Sequence, residues 1–487
     1  MSLSAVLNSA RSSLSAISER TRTVSENIAN VDNPDHSRRI AQNVSGQHGV
    51  LRVAISRAQD AEILDRLLEY TSRQTAAATR AEGLDKLGLI HGDADSEVSP
   101  AALVSRLQAD LQAFASMPDN ATAASRAVGT ARDLAAAINR GAEAVAALRA
   151  EADAEVERSV ARINDLLAQF HEANAAIVTG RLSDAELVRN HDARDRALMG
   201  LAEELDIRTV AQADGGLAIY TTSGAVLYER GAREVRFEPA PGGLLPGAPG
   251  GRVVIDNVPV TGDSAIMGIT SGRLAGLVEL RDDLAASWET QLDELARGLV
   301  EAFAESDPAG TLPDAAGLFT WPGAPALPPA GTHTPGLARA LAVNPLADPQ
   351  AGGDAFLLRD GGMAGAAYVV NTSGVSGFTD RLLQLSAALD VPRGFDAAAG
   401  LPATASVKDF AATSGGWLQE QRALASRDAD HAAALLTRTS DALSRATGVD
   451  LDEELTVMMQ LERSYQATAR VLATVDNMLA ALMQSMR

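Results

Sequence analysis

The chain has 487 residues, with 42 Lys and Arg against 63 Asp and Glu, a formal net charge of -21. That charge excludes a nucleic-acid binder, since holding phosphates needs a basic surface that displaces counterions. The absence of Cys excludes disulfides, thiol catalysis and cysteine metal sites together.

The length predicts roughly two to four domains. Hydrophobic residues make up 46% but aromatics only 3%, so the apolar content is Ala, Leu, Val and Ile, which suits slender helices in a long bundle. At the start of the chain Leu3, Leu7, Ala10, Leu14, Ile17, Thr21, Val24, Ile28 and Val31 follow alternating steps of four and three, the spacing of a coiled-coil seam. The helix should stop at about 30–33, because Pro34 forces its predecessor out of the helical region and Asn and Asp favour turns. Neither a basic segment ahead of an apolar core nor an apolar run of ~20 residues is visible, so neither a cleaved signal nor a membrane span is expected.

Helices are predicted at about 59–90, 101–116, 121–140, 142–178 and 184–205. The fourth carries Val156, Val160, Ile163, Leu167, Phe170, Asn174 and Ile177 at seam spacing. Beyond Leu205 short apolar segments separated by turns such as Asp214-Gly215-Gly216 predict a β-rich insert over 206–272. Helix returns at about 274–305. Nine of the nineteen prolines then fall between Pro308 and Pro349, which excludes regular helix for most of that stretch. The segment up to about 402 is Gly-punctuated, and helix resumes over 405–446. In the last segment Asp450, three residues ahead of Glu453, predicts an N-cap. After it Met458, Leu461, Tyr465, Thr468, Leu472, Val475, Leu479, Leu482 and Met486 form a second seam.

Nothing in the sequence carries chemistry. Neither Lys86 nor Lys408 follows a Gly, which rules out a phosphate-binding Walker loop. The seven histidines, at 36, 48, 91, 171, 191, 333 and 431, show no metal-ligand spacing. The cluster from Arg189 to Arg196 could be read as His191, Asp192 and Asp195 around an active site. On a helix it reads more simply as an exposed face of Arg and Asp at i,i+3 and i,i+4. No catalytic, cofactor-binding or metal residue is therefore assigned.

The segment Asn27-Ile28-Ala29-Asn30-Val31-Asp32-Asn33-Pro34-Asp35-His36-Ser37-Arg38-Arg39 resembles the Asn-Ile-Ala-Asn-Val-Asn-Thr-Pro-Gly-Tyr-Ser-Arg signature of flagellar rod, hook and hook-associated proteins. The C-terminal blocks from Gly448 to Leu455 and from Ser464 to Leu479 look like the other shared block of that family. The Ser37-Arg38 ending, the stretch 109–120, and Ile269-Thr-Ser-Gly-Arg-Leu-Ala-Gly-Leu277 resemble the hook-associated protein 1 family in particular. One departure stands out: Asp35-His36 replaces the family's Gly-Tyr.

The sequence and this resemblance together imply a mainly α fold with a β insert, in an elongated multidomain subunit whose terminal coiled-coil helices pair. Residues 1–58 plus 447–487 would form the terminal assembly domain, and 59–205 plus 273–307 plus 403–446 a helical-bundle stalk. Residues 206–272 would be the β insert and 308–402 an irregular outer segment or small subdomain. The assembly seam comprises Leu3, Leu7, Leu14, Ile17, Val24, Ile28, Val31, Met458, Leu461, Tyr465, Leu472, Val475, Leu479 and Leu482. The resemblance implies a structural, non-enzymatic subunit of the bacterial flagellum that self-assembles as a ring or collar at the hook-filament junction and is secreted without a cleaved signal. It implies hook protein, hook-associated protein 3 and a cytoplasmic export chaperone as partners, and no cofactor. A hook or rod subunit is the second reading. A secreted enzyme or adhesin with its activity in 206–402 is a third, from a different class.

Overall fold

The computed structural model describes residues 3–33, 36–45, 51–91, 96–262 and 264–485. The seam-bearing first segment forms α1 (Leu3–Ala29), about 40 Å long at 1.5 Å per residue. Next comes an antiparallel hairpin of β1 (Arg39–Ser45) and β2 (Leu51–Arg57), in register from Arg39 opposite Arg57 to Ser45 opposite Leu51. No strand was expected there, because Gln42 between Ile40 and Val44 interrupts any apolar run in β1.

Helices α2 (Ala61–His91) and α3 (Pro100–Ser116) follow. Ser99 caps α3 by accepting the Ala102 N–H, with Pro100 at the first helical position where no N–H is needed. Next is α4, a single helix of 59 residues from Ala121 to Thr179, about 90 Å long. The sequence reading broke it at 141, but Gly141 is buried against Leu292 and Trp288, so it serves close packing and not a turn. Gly180, in the left-handed region at φ 62°, ends the helix. Helix α5 (Asp184–Glu204) opens with a Ser183–Glu186 capping box.

Two three-stranded antiparallel sheets come next. One consists of β3 (Arg208–Ala211), β4 (Leu217–Tyr220) and β5 (Val226–Tyr228). The other consists of β6 (Val235–Glu238), β7 (Arg252–Ile255) and β8 (Val258–Pro259). Two asparagines of α4 fix them in place: Asn164 exchanges hydrogen bonds with the backbone of Val235, and Asn174 accepts the Leu217 N–H at 3.0 Å. The polar position in the α4 seam thus docks a sheet.

After α6 (Arg273–Glu279) and a π-helical turn over Leu280–Leu284, α7 (Ala285–Ala302) runs through the centre of the molecule. Its acids and arginine organise the chain that surrounds it. Asp293 accepts the N–H groups of Gly336 and Ala338 and pairs with His333; Glu294 accepts the Asp396 N–H, and Arg297 donates to the Gly394 carbonyl. The surrounding stretch contains short elements only: β9 (Phe319–Thr320) paired with β10 (Ala342–Val343), α8 (Leu337–Ala340), α9 (Leu357–Asp360), α10 (Asp380–Ala388), and β11 (Arg393–Gly394) paired with β12 (Thr404–Ala405). The chain closes with α11 (Val407–Thr447), which packs along α2, and α12 (Leu451–Ser485).

Two hydrophobic cores result, and α4 is the spine of both. The first joins α3, the first half of α4 and α7 to Leu318, Phe319, Leu337, Leu358 and Leu382 of the irregular segment. That segment therefore completes the stalk core and has no separate one. The second packs the rest of α4 on α5, α6 and both sheets. No helix among the described residues is long and apolar enough to cross a membrane.

Candidate assembly site

Helices α1 and α12 lie along each other, and neither core takes a residue from either. Along their contact Ala10 and Val24 of α1 and Leu461 and Val475 of α12 are buried. Leu7, Leu14, Ile17, Ile28, Met458, Leu472 and Leu479 are half-buried. Two of the expected seam positions do not pack. Val31 lies past the end of α1 in an exposed turn, and Tyr465 is 46% exposed because its long side chain reaches out beside the pair. The side chains of Leu3 and Leu482, and all of Pro34, lie outside the described residues.

A second stripe on α1, which the heptad pattern does not reveal, faces the hairpin: Thr23 is buried and Asn27 is fully so. The Asn27 carboxamide holds the backbone of Arg39 from both sides. Its Oδ1 accepts the Arg39 N–H at 3.0 Å and its Nδ2 donates to the Arg39 carbonyl at 2.9 Å. Its Oδ1 also meets His36 Nε2 at 3.2 Å. The Asn27–Arg38 motif is therefore a staple that reverses the chain from α1 into β1. Ile28 lies on the seam, Ala29 ends the helix, and Asn30 donates back to the Glu26 carbonyl.

Arg38 ties this staple to the other end of the chain. Its backbone N–H donates to the Thr447 carbonyl at 2.8 Å, and its guanidinium donates to Glu454 at 2.7 Å and to Glu453 at 3.0 Å. Asp450 caps α12 by accepting the N–H groups of Asp452 and Glu453, as its spacing predicts.

The stalk meets the hairpin through α5, and here the expectation of an exposed Arg/Asp face over 189–196 is overturned. Arg194 is 7% exposed, and Asp192 and Asp195 turn to the hairpin instead of their own helix. Arg57 donates to Asp195 at 2.6 Å and Asp192 at 3.3 Å; Arg39 reaches Glu26 at 2.7 Å and Asp192 at 3.8 Å. Burial, reinforced by Arg39, holds His36 below its ordinary value. Burial, with Arg194 and Arg57 adding to it, lowers His191 to about 4, so both rings are neutral at pH 7. Arg and Asp three or four apart on one helix do not reveal partners about 135 residues away in the sequence. Ser37 lines the cavities at this junction. Among the described residues no group of three or more acids and histidines stands in a position to hold a metal ion.

Comparison with known proteins separates the terminal pair from the stalk. Residues 443–485 match the C-terminal domain of the flagellar basal body rod FlgEFG proteins, whereas residues 88–318 match the helical domain of the flagellar hook-associated protein FlgK. Both matched families are flagellar, and the longer match, through the stalk, is to a hook-associated protein. The solved structure of the flagellar hook junction protein FlgK from Burkholderia pseudomallei has a similar fold, with a TM-score of 0.57 at 13% identity, covering 78% of this chain and 99% of that one. No curated relative matches the chain. Both matches point to a structural protein of the flagellum. The expected mainly α subunit with small β sheets is the fold observed.

Proposed function

We propose that copies of this subunit stand side by side as a short collar, with each α1–α12 pair turned toward the axis and the α4 stalk projecting outward. The observation that carries this reading is an apolar surplus on α12: Leu455, Met459, Val471 and Met478 are exposed on a helix whose partner, α1, covers one side only. Each is about half exposed, so its burial against a neighbouring copy would add roughly half of the 1.5–3 kcal/mol of a fully transferred side chain, and such contacts repeated around a ring would offset the cost of association.

Hook protein would bind one end of the collar and hook-associated protein 3 the other. Before export, a cytoplasmic chaperone would shield the sticky face of α12. The chain would leave the cell unfolded through the flagellar export channel, and having no Cys it needs no disulfides on arrival.

Deletion of the gene, scored by electron microscopy of cells and by flagellin in the medium, tests the reading. Bare hooks with flagellin lost to the medium are expected. Cells without hooks would move the role to the rod or hook, and normal flagella would overturn it.

A further inference from the structure

The junction between the terminal pair and the stalk is built differently from the rest of the molecule. The hydrophobic cores barely reach it: the second touches its cavities only at Leu198, Met199 and Leu217. Two cavities of about 470 and 400 Å³ occupy it instead, sharing Ser37, Arg57, Leu64, Asp195, Leu443 and Thr447 in their walls. Contact across it is made by charges: Arg38 with Glu453 and Glu454, Arg39 with Glu26 and Asp192, and Arg57 with Asp192 and Asp195. The set is poorly satisfied. Arg39 Nε, Arg57 Nε, Arg194 Nε and His191 Nδ1 are all buried without a hydrogen-bond partner. A polar contact with voids and orphaned donors is one that opens readily, because opening returns these groups to water.

Two neutral imidazoles sit among these arginines. His36 is buried between Asn27 of α1 and Arg39 of β1, with Glu26 and Asp192 as its nearby acids. His191 of α5 faces Arg194 and Arg57, with Asp195 opposing them. The same cavity walls also hold Asp32 beyond α1, Arg196 of α5, Asp60 just ahead of α2, Asp65 of α2 and Asp441 of α11. We propose that this junction is an acid-released latch, in which protonation of His36 and His191 adds positive charge beside Arg39, Arg57 and Arg194 and frees the hairpin from α5.

The direction follows from linkage. In the closed junction both histidines lie below their ordinary value, so the open form binds protons more readily. Closure is fully favoured above the ordinary imidazole range near pH 6.5 and weakens as pH falls toward the closed-state values, about 4 for His191. Asp192 works in the opposite sense, since burial holds it above its ordinary value and its protonation eases closure. The response therefore belongs to the two histidines. It stands on the geometry of the junction and is independent of the collar reading.

Because the chain has no Cys, spin labels on Asn43→Cys of β1 and Glu172→Cys of α4, both exposed positions, report the hairpin-to-stalk distance in the full-length protein by pulsed EPR. One narrow distance at pH 7.5 and a second, displaced population at pH 5 are expected. In the His36→Gln/His191→Gln variant that second population should be absent. If the double variant lacks the narrow distance at pH 7.5, His191→Gln alone serves, since its Nδ1 has no partner to lose, and it must diminish the displaced population. An unchanged distance in the unsubstituted chain between the two pH values overturns the latch, as does a histidine variant that responds as fully as that chain.

Discussion

Asn27 shows how much one polar side chain can determine. It sits one residue short of the seam position Ile28, so a heptad reading places it off the seam, and the family resemblance marks it without giving the reason. The reason is that Arg39, half-buried where the chain enters β1, needs both its N–H and its carbonyl satisfied, and the fully buried Asn27 carboxamide supplies both. Asn27→Ala takes that partner from two half-buried backbone groups, at about 1 kcal/mol each, the low end of the cost of a buried unpaired group. The expected result is a loosened hairpin with the stalk intact: amides of 39–45 should exchange far faster, while those of the buried half of α4 keep their rates. Equal exchange in β1 of the variant would mean that the carboxamide is not what holds the turn. At His36, where the sequence departs from the family's aromatic, the imidazole occupies the buried position and contacts the same Oδ1, so the turn stays anchored by a residue that can also titrate.

Elements pack where small residues let backbones approach, as α6 does against the end of α5 and against α2. Gly272 lies at φ 90°, and a Cβ there would fall 2.4 Å from Leu205 Cα; at Gly276 a Cβ would fall 2.7 Å from the Ala76 carbonyl oxygen. Both belong to the Ile269–Leu277 stretch that the resemblance singled out, and close helix contact is the physical content of that motif. Gly276→Ala gains about 1 kcal/mol of helix propensity but forces α6 off α2, and should be net destabilising by about 1–2 kcal/mol. Gly129→Ala on α4, whose Cβ meets only the far end of Arg132 at 3.9 Å, should be neutral to stabilising. Urea melts of the two variants give the comparison, and a stabilised Gly276→Ala would show that α6 has room to shift. The positions of most helices, the Asp450 cap and the β insert were legible because periodicity and capping are local signals. The role of α7 was not. Glu289, Asp293, Glu294 and Arg297 are all at most 1% exposed, yet they look like solvent-facing helix residues, because the chain they pin lies 40 or more residues further on. For the same reason the Pro-rich stretch read as an outer loop and not as the second half of a core.

On the scale of the whole molecule, the two ends of the chain are held apart from everything that folds the middle. The stalk has two cores along a spine of about 90 Å, and α12 contributes to neither. Damage to α12 should thus separate folding from assembly. Leu472 is the test position: it is half-buried on the seam, one turn from the buried Val475, and distant in sequence from the Glu454–Arg38 anchor at the helix start. Leu472→Asp places a carboxylate in that seam, where an unpaired charge without water is costly. The stalk should melt at the temperature of the unsubstituted chain, and sedimentation should find monomer under conditions where the unsubstituted chain forms polymer. Asp at Ser464, which is exposed, controls for charge alone and should assemble normally. A Leu472→Asp chain that polymerises would show that copies join without an intact α1–α12 pair. One whose stalk melts early would show instead that α12 supports the cores after all, and the separation of the ends from the middle would have to be abandoned.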